Sequence, residues 1–205
     1  PKPSEKYLEL IEAYKHLHKE EGKFQGISIV PFVVDLYSII QYNKCKSLLD
    51  YGCGKAVGYT QNFKNIDPKK KIPNFNVPLH TYWGIEDLSL YDPGTLEYPT
   101  LPSKKADIVL CTDVLEHIPE EDLDWLIREI CSLANTTVFL NISCQLAKKT
   151  FTTGKYKGEN VHVSVFDHAW WVDKIKTIHK DYKELKIYLT CTSKEGILGT
   201  CIKGD

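Results

Sequence analysis

Leu48-Leu49-Asp50-Tyr51-Gly52-Cys53-Gly54-Lys55 is the stretch from which the rest of the chain is read. An apolar pair running into an acidic residue and then two alternating glycines describes a buried strand that ends in a turn. Glycine lacks a Cβ and adopts positive φ freely, so such a turn lets the backbone pass close to a ligand. A dinucleotide-binding turn needs a third glycine after two further residues. Here Ala56 and Val57 follow Lys55 and Gly58 arrives one residue late, so the loop is shaped for something other than a pyrophosphate.

Working upstream, Tyr7, Leu8, Ile11, Tyr14 and Leu17 recur at helical spacing behind Ser4, a suitable N-cap. A second helix starts near Pro31 and carries Phe32, Val33, Leu36, Ile39 and Ile40 on one face. Residues 1–43 are therefore read as two helices that form a lid or cover the sheet, and residues 44–205 as the principal domain.

Downstream, Asn65 to Pro78 is polar, lysine-rich and broken by three prolines, which predicts a surface loop or insertion. Tyr82 to Asp92 holds a strand that stops at Pro93-Gly94, and Asp107 to Thr112 reads as another buried strand. After Pro119, Leu123, Leu126, Ile127 and Ile130 follow a helical period behind Glu120, Glu121 and Asp122, acids that favour the positive end of a helix. Thr137 to Ile142 is again a strand. A long connection from Ser143 to His168, a helix from Ala169 to Lys180, and an antiparallel pair turning at Lys194-Glu195-Gly196 complete the chain. Strand alternating with helix predicts an α/β fold: a Rossmann-like, mostly parallel sheet with helices on both faces and a terminal antiparallel pair.

A second block, Asp107-Ile108-Val109-Leu110-Cys111-Thr112-Asp113-Val114-Leu115-Glu116-His117-Ile118-Pro119, joins the first in the expected order, with a helix start directly behind it. Together the two blocks resemble the class I S-adenosylmethionine (SAM)-dependent methyltransferases, in particular the branch that reads D-V-L-E-H-I. The resemblance is good over about residues 44–142 and loose elsewhere. It implies SAM as cofactor, S-adenosylhomocysteine as product, and Asp50, Tyr51, Gly52 and Gly54 around the cofactor's amino-acid end. It also implies a ribose-binding carboxylate after the second strand, for which Asp92 is the first choice and Glu86 the rival. Only 14 residues separate Asp92 from Asp107, too few for the elements the family places there, so one edge strand is expected to be missing.

Thr112 and Asp113 fall at the carboxyl end of their strand, where open α/β sheets bind ligands, and are expected to face cofactor or substrate. His117 is a candidate general base, with the capping of the next helix as the plainer alternative. His162, in Asn160-Val161-His162, is a second catalytic candidate within a substrate loop at 143–168. Trp170 and Trp171 either line an acceptor pocket or serve as helix core, and Lys148 and Lys149 read as solvated. The acceptor is expected to be a small molecule, and no metal is required.

Composition narrows the partners. Lys and Arg total 26 against 27 for Asp and Glu, which disfavours nucleic acid and anionic membrane surfaces. Seven cysteines, odd in number and never spaced C-x-x-C, suggest neither a zinc site nor a disulfide framework and are expected in a reducing, cytoplasmic setting. No apolar run is long enough to span a bilayer. The two N-x-S/T triplets at Asn135 and Asn141 are read as coincidental. Two other classes stay open: a SAM-binding regulatory or partner subunit without catalysis, and a nucleotide-dependent oxidoreductase, against which the missing third glycine argues. The oligomeric state is not legible.

Overall fold

The computed structural model describes residues 3–20, 22–61 and 76–204. The expected loop at Asn65–Pro78 lies outside the described residues up to position 75. The elements in order are α1 (Glu5–His18), α2 (Val33–Asn43), β1 (Ser47–Tyr51), α3 (Val57–Thr60), α4 (Leu79–Trp83), β2 (Asp87–Tyr91), β3 (Ala106–Thr112), α5 (Leu123–Ser132), β4 (Ala134–Ser143), α6 (His168–His179), β5 (Lys186–Ser193) and β6 (Gly196–Ile202). Among the described residues no helix is long and apolar enough to cross a membrane.

The strands form one six-stranded sheet in the order β2-β1-β3-β4-β5-β6, parallel throughout except for the β5–β6 pair. This is the Rossmann-like α/β architecture with a closing antiparallel pair. No strand occurs between β2 and β3, so β2 is itself the edge, in keeping with the short spacing from Asp92 to Asp107.

Strand alternation divides the core in two. Leu49, Val109 and Leu140 point to the face covered by α5 and α6, together with Leu126, Ile130, Trp171 and Ile175. Leu48, Ile108, Leu110 and Phe139 point to the other face, where Leu36 and Ile40 of α2 meet Leu79 and Trp83 of α4. Trp83 is fully buried, and its indole N–H donates to the Val33 carbonyl at 3.0 Å, so the α2–α4 contact leaves no indole donor unpaired.

The two N-terminal helices do different jobs: α2 covers the sheet, whereas α1 lies over the strand tips. Ser4 caps α1, its hydroxyl accepting from Tyr7 N, and both its own N–H and its hydroxyl donate to the Asp122 carboxylate (2.8 and 2.5 Å). The buried stripe of α1 is Tyr7, Leu10, Tyr14 and Leu17. Leu8, expected on that stripe, lies one position round the helix and is exposed. Leu10, Tyr14 and Leu17 form a satellite cluster with Phe151 and Val161, which fastens α1 to the long β4–α6 connection. The strand expected within Tyr82–Asp92 is Asp87–Tyr91. Tyr82 and Trp83 instead end α4, where Gly84 (φ +74°) makes the left-handed C-cap.

Candidate functional site

The order β2-β1-β3 makes β1 the strand from which the chain crosses the sheet in opposite senses, and such a switch point opens a crevice at the carboxyl edge. A cavity of about 120 Å³ lies there, walled by the tips of β1, β2 and β3 and roofed by α1 through Tyr7, Leu10, Tyr14 and His18. Gly52, Gly54, Asp92, Thr112 and Asp113 all line it. A second cleft of about 380 Å³ runs alongside, bounded by the β4–α6 connection through Gln145, Lys148, Lys149 and His162. Phe24, Gly26, Ser28, Asp113 and His117 belong to both spaces, and the Ser28 hydroxyl donates to Asp113 Oδ2 (3.2 Å) at the neck between them.

The glycine turn is fixed by its neighbours. Gly52 (φ +90°) donates its N–H to the Tyr91 carbonyl at 2.7 Å, and a Cβ there would meet Val114 Cγ2 at 2.3 Å. Gly54 (φ +56°) would place a Cβ 2.5 Å from the Phe24 carbonyl oxygen, and its N–H is held by Asp92 Oδ2 at 2.9 Å. Asp92 Oδ1 accepts the Gly94 N–H at 2.7 Å. Asp92 thus braces the turn after β1 against the turn after β2 while still facing the cavity. Glu86, the rival carboxylate, sits before the amino end of the same strand, exposed and paired with Lys46 at 2.8 Å, far from the strand tips.

Asp50 is not in the cavity wall. Alternation along β1 turns it to the α2 side, whereas Tyr51 faces the cavity, and Asp50 lies buried beneath the turn. Neither Asp50 Oδ1 nor the hydroxyl of Tyr59, its neighbour, has a hydrogen-bond partner of normal geometry. Burial, reinforced by the charge of Asp92 and only partly offset by Tyr59, pushes the Asp50 carboxyl up to about 7. Tyr51 donates to Glu129 Oε1 at 2.6 Å and packs edge-on against Tyr91, so its hydroxyl is spent inside the protein. Thr112 is buried at the tip of β3 and lines the cavity.

Beyond β3, Asp113 takes a left-handed conformation (φ +61°), uncommon for a residue with a side chain. A short turn of 3₁₀ helix at Leu115–His117 follows. The Glu116 carbonyl accepts the N–H groups of Val163 (2.8 Å) and Ser164 (3.0 Å), and the Ser164 hydroxyl donates to the Ile118 carbonyl (2.6 Å). Asn160 clamps the connection from within, its amide exchanging hydrogen bonds with both backbone groups of Ala147 and its Oδ1 also accepting the His162 N–H. These bonds deliver His162, more than forty positions downstream, to the side of His117, with ring centroids 4.8 Å apart.

Both histidines have the same ring nitrogen occupied. His117 Nδ1 lies 2.8 Å from the Val161 carbonyl and His162 Nδ1 lies 2.6 Å from the Gln145 carbonyl. A carbonyl only accepts, so each Nδ1 carries the hydrogen and each neutral ring keeps its lone pair on Nε2. Tyr14 strengthens the first anchor, its hydroxyl donating to the Val161 carbonyl at 2.7 Å. Burial pulls His117 down to about 4, against the opposing charge of Asp113, so the ring is neutral near pH 7 and a weak proton acceptor. Glu116 is completely buried. One of its oxygens accepts the Ser143 N–H at 2.6 Å, and burial followed by the Asp113 charge raises its carboxyl well above the usual range. At Asp113 burial acts upward, but Glu116, His117, His162 and Ser28 together outweigh it and lower the carboxyl.

Neither Trp170 nor Trp171 lines the cavity or the cleft. Trp171 is core beneath α6, and Trp170 stacks on Phe166 at 3.8 Å, so the expected aromatic acceptor pocket is not built from them. Lys148 and Lys149 are exposed at the cleft, with Lys149 over the Phe24 ring. Tyr14, His18, Phe24 and Ser28 are site residues that the sequence reading missed. The available signal was Tyr14 and His18 four apart on the inward side of α1. His18 stacks on Phe24 at 4.3 Å and approaches Asp92 to 4.0 Å. Scans against protein-family models and searches of curated proteins and solved structures return no match to this chain.

Proposed function

We propose that the chain is a SAM-dependent methyltransferase that moves a methyl group to a small-molecule acceptor. The observation that carries this reading is the cavity at the switch point, where the glycine turn, Asp92 and the β3 tip converge beside a second cleft bearing two histidines. When bound, SAM supplies an already activated methyl group, so the protein has chiefly to align the acceptor and handle one proton.

The donor set fits the cofactor. The Asp92 carboxylate has about four acceptor sites and uses two of them on Gly54 and Gly94, which leaves capacity for sugar hydroxyls. Tyr7, Tyr14 and Phe24 provide an apolar wall, and Gly52 exposes backbone to the cavity. His117 and His162 stand on the acceptor side with Nε2 free. At about 120 Å³ the cavity is smaller than the roughly 300 Å³ at which small-molecule sites begin. The adjoining cleft of about 380 Å³ adds room beyond the shared neck, and α1, which roofs the cavity, is the element that a bound cofactor would touch.

Titration calorimetry with SAM and with S-adenosylhomocysteine, paired with hydrogen exchange on α1, tests the reading. Saturable binding of both, with altered exchange confined to α1 and the strand tips, is expected. Absence of binding at millimolar ligand, or binding that leaves α1 and the tips unaffected, overturns it. Methyl transfer to a panel of hydroxylated small molecules then separates a catalyst from a subunit that only holds the cofactor.

A further inference from the structure

We infer that Asp113, Glu116 and His162 form a binding site for a divalent transition-metal cation of Mn²⁺ type, at the neck between the cavity and the cleft. One ligand atom from each of these three side chains lies within 4.8 Å of the other two. Three atoms bound about 2.1 Å from one ion stand about 3.0–3.4 Å apart in octahedral or tetrahedral geometry, so closing around an ion draws the farthest pair together by up to about 1.5 Å, within the reach of side-chain rotation.

An independent observation comes from Glu116. Its side chain is completely buried, one oxygen accepts the Ser143 N–H, and Oε2 has no hydrogen bond of normal geometry, its neighbour being the Asp113 carboxylate. Two carboxyl groups this close in the interior need either a shared proton or a cation between them, and a bound metal ion supplies the cation. The second observation is the orientation of His162. Its Nδ1–H is fixed on the Gln145 carbonyl at 2.6 Å, which is how metal-binding histidines are held to one tautomer, and Nε2 keeps the lone pair. Asn160 and the Glu116 carbonyl lock the 161–164 backbone on which His162 rides.

The ligand chemistry selects the ion. Two carboxylates and one imidazole suit Mn²⁺, Fe²⁺, Co²⁺ or Zn²⁺ better than Mg²⁺, which favours oxygen ligands and holds its water. Three protein ligands leave further positions open toward the cleft that Asp113 and His162 line. In the methyltransferase reading, on which this second step rests, those positions bind an acceptor through its oxygen atoms. A hydroxyl bound to such an ion would give up its proton to water in the cleft near neutral pH more readily than a free one, and its oxygen would be the acceptor for the methyl group that bound SAM supplies. His162 thereby becomes a ligand instead of a base, and the acceptor class becomes a hydroxyl compound able to coordinate a cation.

Mn²⁺ binding followed by electron paramagnetic resonance tests the site on the chelator-treated chain of residues 1–205. One Mn²⁺ per chain is expected, with nitrogen hyperfine coupling from one imidazole in the wild type. Glu116→Gln and His162→Ala should each weaken binding at least tenfold, and His162→Ala should abolish the nitrogen coupling. Glu86→Gln, an exposed carboxylate outside the site, should bind as the wild type does. Absence of stoichiometric Mn²⁺, a bound ion without nitrogen coupling, or affinity unchanged in both site variants overturns the proposal. The wild-type spectrum decides even where a variant fails to fold. SAM calorimetry on the metal-free chain keeps the two readings apart, since a failed metal site leaves cofactor binding intact and a failed cofactor site leaves the Mn²⁺ signal intact.

Discussion

The carboxylate of Asp92 accepts the backbone N–H of Gly54 at 2.9 Å, joining the end of β2 to the glycine turn across 38 residues of sequence. With the Gly94 bond at 2.7 Å it satisfies two buried donors at once. Removing the acceptor leaves both donors bare at about 1–3 kcal/mol each. Asp92→Ala is therefore expected to cost about 2–6 kcal/mol in urea denaturation and to lower SAM affinity at least tenfold. Asp92→Asn, which keeps one acceptor oxygen, should recover part of the stability. Equal stability of the alanine variant and the wild type would remove Asp92 from its bracing role.

The two turn glycines should respond differently to a methyl group. At Gly54 the added Cβ meets backbone, the Phe24 carbonyl oxygen at 2.5 Å, whereas at Gly52 it meets a side-chain methyl of Val114 at 2.3 Å. Gly54→Ala is expected to cost about 3 kcal/mol and to displace the Phe24–Gly26 segment. Gly52→Ala should be rescued in part by Val114→Ala, with a coupling of at least about 1 kcal/mol in a double-mutant cycle. Additive effects at Gly52 and Val114 would show that the conformation, and not the contact, requires glycine there.

Tyr14 reaches from α1 to the carbonyl that orients His117. Tyr14→Phe removes one of the two donors on that carbonyl without opening a large cavity. In the methyltransferase reading it should lower turnover several-fold with little change in SAM affinity. It should also broaden or shift the His117 ring signals in nitrogen NMR. Turnover and ring signals that both match the wild type would make Tyr14 a packing residue only.

The fold was legible because its two deciding signals are local. The strand-to-glycine turn at 48–54 and the strand-to-helix block at 106–130 each carry their own periodicity. Their spacing to Asp92 also foretold the shortened sheet edge. The candidate site was legible only in part. Gly52, Gly54, Asp92, Thr112 and Asp113 fall at strand tips, positions that topology alone brings together. Asp50 shows the limit of that logic: one step of alternation along β1 turns it away from the cavity that Tyr51 faces. Tyr14, His18, Phe24 and Ser28 reach the site by tertiary folding of a segment that precedes the sheet; the four-residue spacing of Tyr14 and His18 marks a shared helix face, but not which part of the sheet that face meets. His162 was singled out from its motif, but its place beside His117 depends on the Asn160 clamp and the Glu116 carbonyl, both long-range contacts.

Asp50 and His117 should pull stability in opposite directions with pH. Asp50 is raised to about 7 from an unfolded value near 3.8, so its contribution is fully present below pH 3.8 and is lost as pH rises toward about 7. His117 is lowered to about 4 from 6.5, so its contribution is fully present above pH 6.5 and is lost as pH falls toward about 4. Between about pH 4 and 6.5 each slope approaches about 1.4 kcal/mol per pH unit and the two offset each other. Replacing one member uncovers the other. Relative to the wild type, Asp50→Asn should gain stability as pH rises through this window, because only the folded Asp50 had been holding a proton. His117→Gln should show the reverse, losing stability against the wild type as pH rises, because the unfolded wild-type histidine no longer takes up a proton that the folded ring refuses. Urea midpoints measured every half unit from pH 4 to 8 for the three proteins check this. Slopes common to all three cancel in the differences, and difference curves that run flat would mean that neither group sits in the buried environment described above.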